Sequence, residues 1–299
     1  MVSIIITTKN SENFIANCIN AVKNSNYKDT EIILVDNSST DKTAEIAKSL
    51  GAKTFIKGPE RSAQRNYGAE MSKGEIIGFL DVDMTLSENV ITECLEIFEN
   101  NKNINAIYIP EKIYGKNFFN RVRSFERSFY DATVIDAVRF FRREAFIKIG
   151  GFDLNLNGTE DWDIDRRIKQ IGEVSIIKSP LYHHENHTLK QYIIKKSYYA
   201  SNFDNYFKKW GHDETTKKQF GMFYRYIGVY IENGKWKKLL AHPIYSISMY
   251  FLRFLIGVVY ILSKFNISKK KMFINKNKYT TLIALYKLYK YYYLILLVN

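Results

Sequence analysis

Short apolar runs alternate with amphipathic helical patterns over the first 85 or so residues, and this alternation restricts the possible folds more than any other feature. The runs at 2–8, 31–36, 52–57 and 74–84 predict four strands, and the segments between them predict three helices. Strands and helices that alternate in this way form a parallel sheet with right-handed crossovers. The sequence therefore predicts an α/β domain of the nucleotide-binding type, with a mostly parallel sheet and flanking helices.

Two carboxylates follow the fourth of these runs. The continuous apolar segment 76–80 predicts a strand buried on both faces, and Asp81 and Asp83 come directly after it. Ligands of open α/β sheets bind beyond the carboxyl ends of the strands. Residues two apart on a strand point the same way, so both carboxylates can face one hard cation. An isolated Asp-x-Asp also occurs as a turn or a helix cap, and that alternative stays open for the motif by itself.

Length and charge predict two regions. The 299-residue chain is long enough for one large α/β domain and an appendage. Lys and Arg number 17 against 4 Asp and Glu from residue 200 onward, whereas each sign numbers 27 before it, so the last third carries the whole net charge of +13. This asymmetry indicates a surface-binding appendage on a neutral body. We expect an α/β domain at 1–200 and a helical region at 201–299.

Other sequence features narrow the class of protein. Cys18 and Cys94 lie far apart without a CxxC or Cys/His cluster, which favours buried thiols in a reducing compartment. The N-terminal residues lack the basic and apolar regions of a signal peptide, so we expect the α/β domain to face the cytosol. The dinucleotide-binding G-x-G-x-x-G and the phosphate-binding G-x-x-x-x-G-K-[ST] are both missing after the first strand.

Four motifs in order carry a resemblance to a known family. They are Ile-Ile-Ile-Thr-Thr-Lys-Asn at 4–10, Ile-Leu-Val-Asp-Asn-Ser-Ser-Thr-Asp at 33–41, Glu-Arg-Ser-Ala-Gln-Arg-Asn at 60–66 and Phe-Leu-Asp-Val-Asp at 79–83. This ordered set resembles the family 2 glycosyltransferases with the GT-A fold, and the resemblance covers roughly residues 1–200. It implies a nucleotide-sugar donor, linked to UDP or GDP, and a Mg2+ or Mn2+ ion.

The resemblance also implies roles for particular residues on the donor side. The nucleotide-sugar site would comprise Thr7, Thr8, Asp36, Arg61, Arg65, Asn66 and Asp81, and the metal ligands would be Asp83, Asp81 and His183. We expect Asp83 to be the direct ligand and Asp81 to contact the ribose or a metal-bound water.

Physical chemistry agrees with this assignment. A departing diphosphate gains negative charge, which a cation and nearby positive side chains stabilise. Arg61 and Arg65 stand four apart in a predicted helix, so both can face the same side. A solvated helix face is the alternative for this pair.

A second group of motifs resembles the acceptor side of the family. A Gly-Gly-Phe-Asp turn at 150–153 precedes the motif at 158–167, where Thr159 can cap a helix with an acidic first turn. In the family, the aspartate of a Glu-Asp pair here takes the proton from the acceptor hydroxyl in an inverting transfer. The resemblance therefore implies Asp161 as general base, with Glu160 positioning the acceptor. Ordinary helix electrostatics explain the acidic residues Glu160, Asp163 and Asp165 equally well.

Three histidines follow within five residues. A zinc site would need Cys partners or a further ligand at fixed spacing, which the sequence lacks. The resemblance implies that His183 contributes to the cation site. His184 is the second choice, and we expect His187 on a surface loop.

The last third is basic and aromatic, which favours a membrane surface as its partner. The segment 189–210 has the pattern of an interfacial amphipathic helix, and no RNA-binding motif accompanies it. The segment 243–262 is about one bilayer span long, but Arg253 at its middle indicates that it lies in the interface or packs against another segment. Lysines at 269–278 and a further amphipathic segment at 279–298 fit an anionic surface. Core helices of a small soluble domain are the alternative.

These expectations combine into one function. We expect a metal-dependent, inverting glycosyltransferase on the cytoplasmic face of the cell membrane, acting on a hydroxyl group of a lipid-linked or surface-glycan acceptor, with no nucleic-acid partner. The Gln-x-x-Arg-Trp motif of processive synthases is missing, so transfer of a single sugar is favoured over polymerisation.

Three alternatives remain open. A polyprenyl-phosphate sugar transferase shares the donor half, although its ionised phosphate acceptor needs no base such as Asp161. A sugar-nucleotide pyrophosphorylase would carry a Gly-rich N-terminal loop with Arg, which 9–11 is not. A non-catalytic membrane-binding protein would retain its role without the carboxylates.

Overall fold

A computed structural model describes residues 1–115, 117–185 and 203–270, and within it the side chains up to residue 258. The strands are β1 (Val2–Thr8), β2 (Thr30–Asp36), β3 (Lys53–Ile56), β4 (Ile76–Asp81), β5 (Met84–Leu86), β6 (Ile104–Tyr108), β7 (Glu111–Ile113), β8 (Val138–Arg142), β9 (Glu173–Ile176) and β10 (Leu181–His183). The helices are α1 (Glu12–Lys23), α2 (Thr43–Ser49), α3 (Arg61–Met71), α4 (Val90–Asn100), α5 (Phe118–Arg127), α6 (Arg143–Lys148), α7 (Glu160–Lys169), α8 (Phe203–Trp210), α9 (Glu214–Phe220), α10 (Val229–Ile231), α11 (Trp236–Ala241) and α12 (Pro243–Lys270). A π-helical turn, Tyr224–Gly228, precedes α10, and a 3-10 turn, Glu232–Gly234, follows it.

The main sheet has seven strands in the order β3-β2-β1-β4-β8-β6-β9. The four predicted strands, β1 to β4, form its parallel half, as expected. Strand β8 runs antiparallel to both β4 and β6 and was not predicted. The apolar residues of β8 lie between arginines. The Nη2 of one of them, Arg142, donates a hydrogen bond to the carbonyl oxygen of Phe98 (2.5 Å). The sheet is therefore mixed but mostly parallel.

Helices cover both faces of this sheet. Ile4 and Ile6 of β1 pack into one apolar cluster with α1, α2 and α4, whereas Ile5 points to the opposite cluster, with α3, α6 and α7. All three side chains are fully buried. This two-sided burial explains why the strand reads as a continuous apolar run.

A glycine lets α3 approach the sheet closely. A Cβ atom built on Gly68 would lie 2.4 Å from Cγ2 of Ile5, so a larger residue would displace the helix. Arg65 is one helical turn earlier on α3 and is brought over the ends of the strands. The close approach of α3 therefore positions the guanidinium group of Arg65 next to Asp81.

A second sheet of three short strands, in the order β5-β10-β7, was not predicted. Strand β10 pairs antiparallel with β5 and parallel with β7, and the register places His183 opposite Met84 and Ile113. This small sheet brings His183 to Asp83, the residue before β5.

Helices α10 and α12 pack on α5 and the residues that follow it. Val122, Phe125 and Phe129 form an apolar cluster with Tyr230 and Met249. The central arginine of α12 is buried here: Nη1 of Arg253 donates to Oε1 of Glu126 and to the Tyr130 hydroxyl, both at 2.6 Å.

Of the two placements expected for 243–262, the structure shows packing against another segment. No helix among the described residues is long and apolar enough to cross a membrane. Cys18 and Cys94 are buried free thiols, as predicted. The expected membrane-surface features at 189–202 and 271–299 lie outside the described residues. The division of the chain at residue 200 stays a prediction.

We expect Arg253→Met to lower the free energy of unfolding by about 3 kcal/mol, because Glu126 would stay buried with one cation fewer. Thermal unfolding of the purified variant measures this loss. Lys237→Met is the control, since Lys237 is exposed and the change should stay within about 0.5 kcal/mol. An unchanged unfolding midpoint for Arg253→Met would show that the ion pair does not hold α12 on α5.

Candidate active site

A cavity of about 600 Å3 opens at the carboxyl ends of β1 and β4. It also borders the N-terminus of α3, the N-terminus of α7 and strand β10. Most of the predicted site residues line it, namely Thr7, Thr8, Arg61, Asp81, Asp83, Glu160, Asp161 and His183. The structure thus brings the predicted donor and acceptor residues to one cavity. Asp36, Arg65 and Asn66 do not line it.

Arg65 lies beneath the cavity and joins two carboxylates. Its side chain is 2% exposed. Its Nη2 donates to Oδ1 of Asp81 (3.0 Å), and its Nη1 donates to Oδ1 of Asp161 (2.9 Å). The guanidinium also stacks over the ring of Phe152, with 5.0 Å between its central carbon and the ring centroid. Arg65 therefore links the two aspartates beneath the cavity, and direct contact of Arg65 with the donor stays a prediction.

Arg61 reaches the same carboxylates from the cavity side. Its Nη1 lies 3.5 Å from Oδ2 of Asp81, and its Nη2 lies 3.4 Å from Oε1 of Glu160. The two arginines therefore face the same side of α3, as their spacing predicts. Burial opposes ionisation of Asp81, but the charges of Arg65 and Arg61 outweigh it and lower the pKa of that carboxyl well below its usual range.

The arginines occupy both carboxylate oxygens of Asp81. Its Oδ1 also accepts from the hydroxyl of Thr7 (3.3 Å). Direct coordination of a metal by Asp81 therefore has no support in these contacts and stays a prediction.

The N-terminus of α7 carries the two acceptor-side carboxylates. Glu160 is buried, and burial followed by the charge of Asp161 raises its pKa. The side chain of Asp161 is about a third exposed to the cavity. Asp161 is thus the carboxylate that an incoming hydroxyl group can reach. Thr159 occupies the N-cap position of α7, as predicted, but its hydroxyl makes no capping hydrogen bond.

The other acidic residues of α7 serve the fold. Asp163 is fully buried and accepts from Nη2 of Arg167 (2.6 Å) and from Nε1 of Trp210 (2.8 Å). Asp165 is paired with Lys169 (2.8 Å). These contacts fit the structural interpretation of both residues.

Asp83 and His183 form an oxygen and nitrogen pair at the cavity. Oδ2 of Asp83 lies 3.2 Å from Nε2 of His183, whose Nδ1 lies 2.9 Å from Oε1 of Glu111. Burial opposes protonation of this histidine, but its hydrogen bonds with Asp83 and Glu111 raise its pKa to about 10.

This pair fits a Mg2+ or Mn2+ ion in chemistry and spacing. A carboxylate oxygen suits both ions, whereas an imidazole nitrogen suits a transition-metal ion such as Mn2+ better than Mg2+. Two adjacent ligands of an octahedral ion, each at about 2.1 Å, lie about 3.0 Å apart. A bound cation would displace the proton from His183. Among the described residues, no three His, Cys, Asp or Glu side chains converge as a metal site.

Two residues predicted to bind the sugar donor, Asp36 and Asn66, do not line the cavity. Asp36 is buried and accepts hydrogen bonds from the backbone N–H (2.8 Å) and the hydroxyl of Ser39, which holds the turn after β2. The amide of Asn66 donates to the carbonyl oxygen of Phe152 and accepts from its N–H, both at 2.8 Å. Asp36 and Asn66 therefore shape the walls, and direct contact with a nucleotide stays a prediction for both.

The hydroxyl of Thr8 is buried and has no hydrogen-bond partner among the described residues. Since Thr8 lines the cavity, this orphaned group can bind a polar ligand atom.

Sequence reasoning missed two buried residues of the site. Nε2 of Gln64 donates to the carbonyl oxygens of Thr8 (2.9 Å) and Val35 (2.7 Å), which fixes the ends of β1 and β2 to α3. Glu111 orients His183 and also pairs with Arg139 (3.3 Å). Gln64 stands within the quoted motif at 60–66, whereas Glu111 lies in a three-residue strand without any recognisable pattern.

His184 does not join this pair. Nε2 of His184 forms a hydrogen bond with the hydroxyl of Thr85 (2.9 Å), and its ring stacks on Tyr114. His187 lies outside the described residues.

The C-terminal region also contributes to the cavity. Arg225 and Tyr226 of the π-helical turn line it, together with Arg253 and Ile256 of α12. This wall was not predicted, since the sequence of the last third indicates only surface binding.

Comparison with known proteins identifies the family. The sequence model of the family described as Glycosyl transferase family 2 matches residues 3–154, about half of the chain. An uncharacterized glycosyltransferase of Rickettsia typhi is 28% identical over 204 residues, which cover 67% of this chain and 65% of that protein. The hyaluronan synthase of Pasteurella multocida is 24% identical over 212 residues, which cover 66% of this chain and 22% of the synthase. The chain thus spans just under two thirds of the first relative and about a fifth of the second.

Solved structures share the architecture. The mannosyltransferase PcManGT from Pyrobaculum calidifontis, in complex with GDP-Man and Mn2+, superposes with a TM-score of 0.59 at 15% identity, over 88% of this chain and 87% of that one. S. aureus TarS 1-349 in complex with UDP-GlcNAc has a TM-score of 0.52 at 16% identity, over 83% and 79% of the two chains. Similarity at these identities shows the fold, which is the expected GT-A fold. Because the family model matches half of the chain and the fold agrees with it, the chain belongs to glycosyl transferase family 2.

Proposed function

We propose that the protein is an inverting, metal-dependent glycosyltransferase that moves a single sugar from a nucleotide-diphosphate sugar to a hydroxyl group of a lipid-linked or surface-glycan acceptor. The observation that carries this proposal is the bridge that Arg65 makes between Asp81 and Asp161. It fixes a carboxylate at the donor end and an exposed carboxylate at the acceptor end within one cavity.

The residues divide the chemistry between them. Asp161 takes the proton from the acceptor hydroxyl group. The oxygen of that hydroxyl group attacks the anomeric carbon of the donor sugar on the face opposite the leaving diphosphate. Arg61 is partly exposed and lines the cavity, so it stabilises the charge that develops on the diphosphate. Glu160 positions the acceptor beside the base.

Asp83 and His183 would hold a Mg2+ or Mn2+ ion, and phosphate oxygens would complete its ligands. The ion supplies positive charge to the leaving group. The GDP-Man and Mn2+ complex of the archaeal mannosyltransferase supports this assignment, and the UDP-GlcNAc complex of TarS supports a UDP-linked donor equally.

Membrane association completes the proposal. The basic last third of the chain supports attachment to the cytoplasmic face of the cell membrane, where a lipid-linked acceptor would be available. The missing Gln-x-x-Arg-Trp motif supports the addition of one sugar.

Binding of the nucleotide is the first prediction. We expect UDP or GDP, together with Mn2+, to raise the unfolding midpoint by several degrees, since a ligand at about 100 times its Kd stabilises a protein by about 2.7 kcal/mol. Thermal unfolding with each diphosphate, with and without Mn2+, measures the shift and distinguishes the base. Asp83→Ala should abolish the metal-dependent part, whereas Asp204→Ala, an exposed control, should keep it. If neither diphosphate stabilises the protein at millimolar concentration, the donor assignment is wrong.

Loss of the base is the second prediction. Asp161→Asn should lower kcat by at least about 100-fold, because the amide cannot accept the proton of the acceptor hydroxyl. Donor affinity should change little. Sugar transfer with saturating donor measures kcat, and the matched exposed substitution Asp204→Asn should retain full activity. Full activity of Asp161→Asn would instead favour an acceptor that is already ionised, such as a lipid phosphate.

Substitutions of Arg65 and Arg61 should have different effects on kcat and donor KM. Arg65→Lys should lower kcat at least about 10-fold with little change in donor KM, because a single ammonium group cannot bridge Asp81 and Asp161 as the planar guanidinium does. Arg61→Lys alters a residue that lines the cavity and faces the diphosphate, so it should raise donor KM as well as lower kcat. Steady-state kinetics against donor concentration test this contrast. Equal effects of both substitutions on KM would place Arg65 in direct contact with the donor.

A further inference from the structure

Exposed apolar side chains are concentrated in one part of the described chain. Nine of the fifteen large apolar side chains that are exposed among the described residues lie between 222 and 254. We call these nine the apolar face. Its most exposed members, each more than half exposed, are Met222, Phe223, Leu240, Ile244, Ile247 and Phe254.

The spacing on α12 places three of these residues on one side of the helix. Ile244, Ile247 and Phe254 are three and seven residues apart, so they follow one helical stripe. Met249 and Arg253 are buried against α5 on the opposite side. The helix therefore has two apolar sides: one packs on the protein, and the other is exposed.

The sequence within and after the apolar face is basic. Residues 222–258 contain five Lys and Arg against one acidic residue, and residues 259–299 contain eight Lys and no acidic residue. Lys237 is exposed within the face, beside the ring of Trp236. Exposed apolar side chains with basic neighbours and few acids are complementary to the headgroup region of an anionic bilayer.

The ion pair inside the protein determines how α12 can meet a bilayer. Arg253 is held by Glu126 and Tyr130, so the helix cannot leave α5 without exposing a buried carboxylate. None of the described helices is long and apolar enough to cross the bilayer. A bilayer that contacts α12 in this arrangement would meet the helix from its side.

We propose that the apolar face docks on a membrane containing anionic lipids, with α12 parallel to its plane. The other side of α12 supplies Arg253 and Ile256 to the wall of the cavity. A helix with its side chains is about 10–12 Å across, so docking places this wall about one helix diameter from the headgroups. This inference rests on the proposed function and refines its acceptor: the hydroxyl group that reaches Asp161 belongs to a membrane-anchored molecule and lies close to its anchor.

Sedimentation with lipid vesicles tests the proposal on the full chain. The vesicles are pure phosphatidylcholine or phosphatidylcholine with about one third phosphatidylglycerol. We expect the protein to bind the anionic vesicles and the double variant Ile247→Glu/Phe254→Glu to bind them at least about 10-fold more weakly. The matched control is Ile56→Glu/Leu154→Glu, which alters two exposed apolar residues outside the face and should bind like the unmodified protein.

Two further measurements make the result decisive. Both double variants should keep the unfolding midpoint and the nucleotide-dependent shift, because the altered side chains are exposed. Equal binding by the two double variants, or no binding of the unmodified protein, would overturn the proposal. A dimer that dissociates in Ile247→Glu/Phe254→Glu would overturn it too and would identify a second copy of the chain as the partner. Failure of the nucleotide to bind would refute the proposed function and leave the vesicle result unchanged, so the two failures are distinguishable.

Discussion

The whole candidate site depends on one buried arginine. Arg65 is enclosed by the carboxylates of Asp81 and Asp161 and by the ring of Phe152, and no ligand has to be present for these contacts to form. Removing a guanidinium from water is costly unless carboxylates compensate, so each aspartate stabilises the cation and the cation stabilises each aspartate. The distance between the donor side and the acceptor side is thereby built into the folded chain. A substrate pair that enters the cavity meets two carboxylates whose separation is already set.

The sheet and the helices supply this interaction by different routes. Asp81 is the last residue of β4, and all the other residues of this strand are buried, so Asp81 has a rigid position. Asp161 stands on the first turn of α7, where the helix dipole favours a carboxylate. Glu160 beside it is buried and resists ionisation, so the pair is not two equivalent bases. These unequal environments fit the proposed division between a carboxylate that accepts a proton and one that positions the acceptor.

The sequence predicts the parallel half of the fold well, because strands buried on both faces are continuous apolar runs and lie close to their predicted bounds. It does not predict β8, whose apolar residues stand between arginines, or the three-residue strands that carry Glu111 and His183. The motifs place the site residues in one cavity but do not separate those that line it from those that support it. Arg65 is an example, because its partner Asp161 lies 96 positions further along the chain. Spacing within a helix shows which side a residue faces and says nothing about what covers that side.

The close packing of α3 on β1 has a consequence for how the family can diverge. Gly68 does not line the cavity, yet a Cβ atom added there would lie 2.4 Å from Ile5 and would displace the helix that carries Arg65. We expect a substitution at such a position to impair the protein even though the position contributes no functional group. In a collection of inactive mutants it would therefore appear among the catalytic residues, and only structural knowledge would reveal that the requirement is one of space and not of chemistry.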